Sequence, residues 1–201
     1  MNAIQPAIYP SVAIAVQRVQ SVLKRRPDAA LQEDAAATAR WQGGTRVVAS
    51  HADGAQLLTD MPAELGGSGD QVTPGWLFRA GLAACATTSI VLMAAAEGME
   101  LAALEVRAGS RSDTRGLLGM NDEAGRPVYA GPLEMHLQVQ VEAPGVAPDR
   151  LRALVEARWL ARRCPAWSGR PTRWRCRSTS RAPDAARPWT RCRKRCGWCA
   201  W

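Results

Sequence analysis

Cys85 stands alone in the middle of TPGWLFRAGLAACATTSIVLMAAAEG, a stretch charged only at Arg79 and Glu97. A cysteine attacks electrophiles as its thiolate; buried in apolar surroundings it is an inert small hydrophobe instead. Both readings of Cys85 stay open on composition alone. The other five cysteines (Cys164, Cys176, Cys192, Cys196 and Cys199) all follow Glu156. Cys192, Cys196 and Cys199 have C-x3-C-x2-C spacing without a second pair, which argues against a zinc module. His51 sits at a turn and His136 on the polar face of a strand, with no cluster of acids or cysteines near either, so no metal is expected. The glycine-rich LGGSGDQV (65–72) precedes a helix but carries neither nucleotide fingerprint, so it reads as a turn and no cofactor is expected. Arg46 follows a glycine turn and by itself reads as an exposed strand arginine.

The elements that must position these residues follow from pattern. Thr73 suits an N-cap, Pro74 the first helical position and Gly98 the C-terminal cap, so Thr73–Gly98 is expected to be one long buried central helix. Its uncharged run approaches membrane length, but Gly81, Thr87, Thr88, Ser89 and the many alanines favour the core of a soluble domain. Val12 to Lys24 reads as a short amphipathic helix ended by Arg25-Arg26-Pro27. TARWQGGTRVVAS (38–50) reads as two strand pieces joined at Gly43-Gly44, with Asp53-Gly54 a second hairpin signal before Gln56 to Thr59. Leu101 to Asp113 reads as a strand and Thr114 to Gly131 as a polar connection. Leu133, Met135, Leu137, Val139 and Val141 alternate with Glu134, His136, Gln138 and Gln140, the mark of a strand with one core face. Pro148 to about Glu156 begins a second amphipathic helix. The expected class is α+β, with a mostly antiparallel sheet packed on helices.

Charge divides the chain. The 201 residues hold 26 Lys/Arg and 18 Asp/Glu, a net of +8. From Ala157 onward there are 13 Lys/Arg and one acid, Asp184, so the preceding residues are net negative and the basicity belongs to the tail. Six of the eight tryptophans lie there too. A basic aromatic tail could bind nucleic acid by phosphate neutralisation and stacking. Arg, Trp, Cys, Pro and Ser are also what GC-rich codons yield when read out of frame. With G- or C-ending codons, a shifted reading of Pro171 to Ser180 permits DAVALPVDV, an ordinary strand. That reading is preferred, and nucleic acid is not the expected partner. The organisation expected is an N-terminal helix and linker (1–37), a folded domain (38–156) and an out-of-frame or disordered tail (157–201). YPSVAIAVQRVQSVLKRRP is interrupted by Gln and Arg and lacks a cleavage pattern, so a cytoplasmic protein with reduced thiols is expected, not a membrane protein.

Several pieces together resemble the OsmC/Ohr family, the osmotically inducible and organic hydroperoxide resistance proteins. They are TARWQGGTRVV, the Gly66-Gly67 loop, Thr73-Pro74, LFRAGLAACATTSI around Cys85, AAAEGMEL, and the LEV…SD-x-RG run ending at Gly116; the likeness covers about Thr38 to Glu156. The resemblance implies an antiparallel sheet on a central helix in an intertwined homodimer, and a thiol peroxidase that uses a hydroperoxide and a thiol reductant. It implies Cys85 as the peroxidatic thiol, Arg46 as the partner of thiolate and peroxide, and Cys164, in a Cys-Pro pair, as a resolving cysteine. The family's usual glutamate falls ten residues before the cysteine, where this chain has Gly75. That substitution leaves a second reading, an OsmC-like protein without peroxidase activity that binds a small ligand.

Overall fold

A computed structural model of the chain describes residues 10–156 and 173–179. The chain divides into two compact units, Met1–Leu82 and Ala83–Trp201.

The first unit opens with helix α1 (Pro10–Arg25), whose Ile14, Val19 and Val22 are exposed. An antiparallel sheet follows in the order β1 (Thr38–Gly43), β2 (Arg46–Ser50) and β3 (Gln56–Thr59). Both turns are where glycine signals placed them. Gly43 and Gly44 have φ of 111° and 55°, and Gly54 has 98°, values that L side chains rarely adopt. After β3 the chain makes a 3-10 turn, Ala63–Leu65, and a compact loop that returns to the strand: Asp60 N donates to Val72 O (3.1 Å) and Gly69 N to Met61 O (3.2 Å). Gly67 is required there, since a Cβ on it would collide with the Met61 carbonyl and Asp60 Oδ1.

Helix α2 (Pro74–Ala96) starts in this unit and ends in the second. Its caps follow from sequence. Thr73 Oγ1 accepts from Trp76 N at 3.2 Å. At the other end Met99 N reaches Ala94 O (2.8 Å) and Gly98 N reaches Ala95 O (3.2 Å), with Gly98 at φ 65°; these are the two bonds of a Schellman motif. Met99 and Ala94 share one buried cluster, which supplies the motif's usual apolar contact. Among the described residues α2 is the one helix long and apolar enough, by length and composition, to cross a membrane. The expected burial is narrower than the sequence suggested. Only Ala86, Ile90 and Ala94 are enclosed, a single stripe at four-residue spacing, while Trp76, Phe78 and Leu92 stay exposed.

In the second unit β4 (Ala103–Arg111) pairs antiparallel with β5 (Leu133–Glu142), and β6 (Arg173–Thr179) pairs parallel with β5 on its other side. The alternation of β5 works as expected toward its C-terminal end, where Leu137, Val139 and Val141 are buried. Ile90 of α2 packs with Val139 and with Val155 of helix α4 (Pro148–Val155); Ala94 and Met99 pack with Val141, Ala143, Leu151 and Leu154. The 112–131 connection is ordered by its own polar groups. Asp113 caps the short helix α3 (Thr114–Leu117) by accepting from Arg115 N, and Asp122 accepts from Ala124 N, Arg126 N and Arg126 Nε. β6 lies within the segment whose composition suggested an out-of-frame or disordered tail, and it occupies the sheet position beside β5.

Candidate functional site

Cys85 lies in the middle of α2, exposed and free of any disulfide. It is one residue before the buried stripe begins at Ala86, so α2 turns its thiol away from the core. Thr87 Oγ1 donates back to Ala83 O (2.8 Å), satisfying a hydroxyl one turn away without involving the cysteine. An exposed position is where a thiol meets a dissolved electrophile, as an enclosed one does not. Cys164, expected from the resemblance as the resolving cysteine, lies outside the described residues.

Arg46 is in the first unit, at the start of β2, and its environment is more specific than an exposed strand arginine. The register Val47↔Thr59 places Asp60 opposite Arg46 just beyond the end of β3, on the same face of the hairpin. Arg46 Nη2 donates to Asp60 Oδ2 (3.2 Å), Ser68 Oγ (2.5 Å) and Asp70 Oδ1 (2.5 Å). Its side chain keeps 34% exposure, that of Asp60 only 4%, and that of Asp70 50%.

Asp60 is the anchor of this cluster. Its two oxygens also face Thr45 Oγ1 (2.6 Å), Met61 N (2.8 Å), Ser68 N (3.1 Å) and Ser68 Oγ (2.7 Å). Ser68 Oγ lies within reach of both carboxylates but owns one proton, so it donates to one of them and accepts from Arg46. These donors stabilise the ionised form. The hydroxyls of Thr45 and Ser68 chiefly hold the Asp60 carboxyl far below the usual carboxylate range, Ser68 chiefly lowers Asp70, and the hydrogen bonds that Arg46 donates to Asp60 and then to Asp70 raise Arg46.

A depressed folded-state pKa has a direct consequence for stability. Asp60's contribution is fully present above the unfolded carboxyl value near about 3.9 and is lost as pH falls toward its folded value. Asp60→Asn should therefore melt below the parent at neutral pH, and the gap should narrow steadily on acidification below about pH 5. Thermal melts of both proteins across that range check this; a gap that stays constant with pH would show that the charge of Asp60 contributes nothing.

Gly75, where the resemblance expects a carboxylate, opens α2. A Cβ there would meet only Arg79 Nη1, at 3.6 Å, so the absence of a side chain is not forced by crowding. His51 is at a turn and His136 on β5, but each has a specific neighbour. His51 Nδ1 sits 2.8 Å from Asp53 Oδ1 at the β2–β3 turn. His136 lies on β5 with its ring against the backbone of Gly109, where a Cβ on that glycine would strike it. Among the described residues no group of three or more His, Cys, Asp or Glu is placed to hold a metal ion.

Sequence reasoning missed Asp60, Ser68 and Asp70. TDMPAELGGSGD carries two acids bracketing a glycine loop, but no local period links them to Arg46 more than ten residues earlier. Only the β2–β3 register and the returning loop bring them together.

Comparison with known proteins agrees with this architecture. The family model described as OsmC-like protein matches residues 67–167, half of the chain. No protein of curated function matches it. Among solved structures, the OsmC-like protein of Mycoplasma pneumoniae superposes with a TM-score of 0.57 at 19% identity, over 74% of this chain and 98% of that one. An organic hydroperoxide resistance protein of Elizabethkingia anophelis gives 0.53 at 20%, over 74% and 99%. The organic hydroperoxide resistance protein OsmC of Legionella pneumophila gives 0.51 at 22%, over 74% and 99%. At these identities the likeness is one of fold.

Proposed function

Since the chain belongs to the OsmC-like family, we propose that it is a thiol-dependent peroxidase that reduces organic hydroperoxides, with Cys85 as the nucleophile and Arg46 as the hydrogen-bonding partner of the peroxide. The observation that carries this reading is the exposed free thiol of Cys85 on α2, inside the part of the chain that matches the family. The names of two structural relatives, organic hydroperoxide resistance proteins, point the same way.

The chemistry is a two-electron exchange. The thiolate sulfur attacks one peroxide oxygen, the O–O bond breaks, and the leaving alkoxide takes a proton to become an alcohol. The sulfur is left as a sulfenic acid. A second thiol then displaces water to form a disulfide, and an external dithiol reduces that disulfide. Cys164 is the candidate for the second thiol. The reading needs no metal or cofactor and places the protein in the cytoplasm, where thiols stay reduced.

We infer a homodimer as the working form. Trp76, Phe78 and Leu92 project from α2 into solvent in the single chain, and large exposed apolar side chains on one helix are what a second copy would cover. Sedimentation of the purified full chain should give twice the mass of 21.7 kDa; a monomer at micromolar concentration contradicts the inference.

The enzymatic test is consumption of cumene hydroperoxide with a dithiol as reductant. A second reading is favoured by one observation: Gly75 supplies no carboxylate, and an OsmC-like protein lacking peroxidase activity would bind a small ligand instead. No turnover, together with slow alkylation of Cys85 at acidic pH, would select that reading.

A further inference from the structure

Among the described residues, every hydrogen bond of the Arg46 guanidinium runs through one nitrogen. Nη2 faces Asp60, Ser68 and Asp70, while Nε and Nη1 have no hydrogen-bond partner among the described residues. Asp60 cannot follow the arginine, because it is buried and tied to Thr45, Met61 and Ser68. Asp70 closes the cluster from the solvent side, half-exposed, and shares Ser68 with Asp60. The charges also have a definite sum. One guanidinium against two ionised carboxylates leaves the cluster at −1, with both carboxyls held in the ionised form by their donors.

We propose that Asp60 and Asp70 are positioning residues for Arg46: they fix Nη2 and outweigh its charge, so that the arginine offers a reacting molecule the N–H donors of Nε and Nη1 without a net positive field. The proposal rests on the peroxidase reading for the identity of that molecule. It makes a selection by charge. A neutral hydroperoxide can accept a hydrogen bond from Nε or Nη1 at little electrostatic cost, whereas a hydroperoxide carrying its own carboxylate meets two fixed carboxylates at close range. A strand arginine paired by chance would show no such preference.

Asp70 is the residue to test, because Asp60 is buried and its variants risk misfolding. In the full-length protein, Asp70→Asn removes one negative charge and one acceptor, and Asp70→Glu keeps the charge. The first readout needs no turnover: the rate at which phenylglyoxal modifies Arg46, followed by mass spectrometry of its peptide. Asp70→Asn should accelerate modification roughly fivefold, and Asp70→Glu should return it toward the parent rate, as expected for loss and recovery of a charge-assisted bond. The second readout is kcat/KM for cumene hydroperoxide against a carboxylate-bearing hydroperoxide. Asp70→Asn should shift the ratio toward the anionic substrate by about three- to tenfold, mostly in KM, and the shift should shrink at high salt. Faster modification in Asp70→Asn with recovery in Asp70→Glu supports the clamp even if the parent consumes no hydroperoxide, in which case the peroxidase reading alone fails. Unchanged modification overturns the clamp even in an active enzyme. An unchanged substrate ratio in an active enzyme overturns the charge selection.

Discussion

Cys85→Ser should abolish hydroperoxide consumption, lowering turnover by about a thousandfold or more while leaving the fold and thermal stability of the chain close to the parent. The magnitude follows from the role: removing the nucleophile of a covalent mechanism removes the pathway, and what remains is the slow background reaction. Serine is the right replacement because it keeps size and a polar tip at an exposed position, so no cavity opens. The measurement is dithiol-dependent loss of cumene hydroperoxide, with near- and far-ultraviolet circular dichroism on the same samples. Turnover by Cys85→Ser at even a tenth of the parent rate would remove Cys85 from the mechanism. Arg46 then loses its proposed partner too, and the small-ligand reading becomes the better account of the family site.

The largest expected effect on stability is at Ile90. It has no exposed surface and packs between Val139 of β5 and Val155 of α4, with Met93, Leu101, Leu104 and Val106 around that cluster. Ile90→Ala removes three carbon atoms from a site walled by a helix, a strand and a second helix, which leaves little freedom to collapse. The expected loss is about 2–5 kcal/mol, from lost transfer free energy plus the residual cavity. Urea unfolding should show a lower midpoint with an unchanged slope, since neither end state gains surface. A loss under about 1 kcal/mol would mean that α2 is not held to β5 through this stripe. The consequence would reach Cys85, because the same helix carries the thiol five residues, somewhat more than one turn, before Ile90.

Local chemistry made much of this fold legible. The caps of α2 could be read from Thr73, Pro74 and Gly98 because each acts within one turn of its own position, and the structure shows the bonds they make. Glycine pairs and Asp-Gly marked the hairpins of β1, β2 and β3 because a positive φ is a property of single residues. The alternation of Leu137, Val139 and Val141 predicted the buried face of β5, since a strand's period is set by its own backbone. How much of α2 is enclosed was not legible: an alanine-rich helix is apolar on every side, so its pattern does not say which stripe meets a neighbour. The answer came from β5 and α4, which pack on Ile90 and Ala94, and from the enclosure of Ala86 one turn earlier.

The candidate site divides in the same way. Cys85 could be singled out from the sequence because it is the one cysteine of the long apolar helix, and its residues resemble a family whose model matches this part of the chain. The surroundings of Arg46 could not. Asp60 is 14 residues away and Asp70 is 24, in a loop that composition marks only as a turn. What binds them to the arginine is a strand register, a loop closed by Val72 on Asp60, and a glycine at 67 that lets the backbone come close enough. Residue types and short-range spacing thus determined the elements and the thiol. The partners of the guanidinium, and with them the charge it presents, were decided by tertiary structure, because electrostatic contacts depend on distances in space that separation along the chain does not encode.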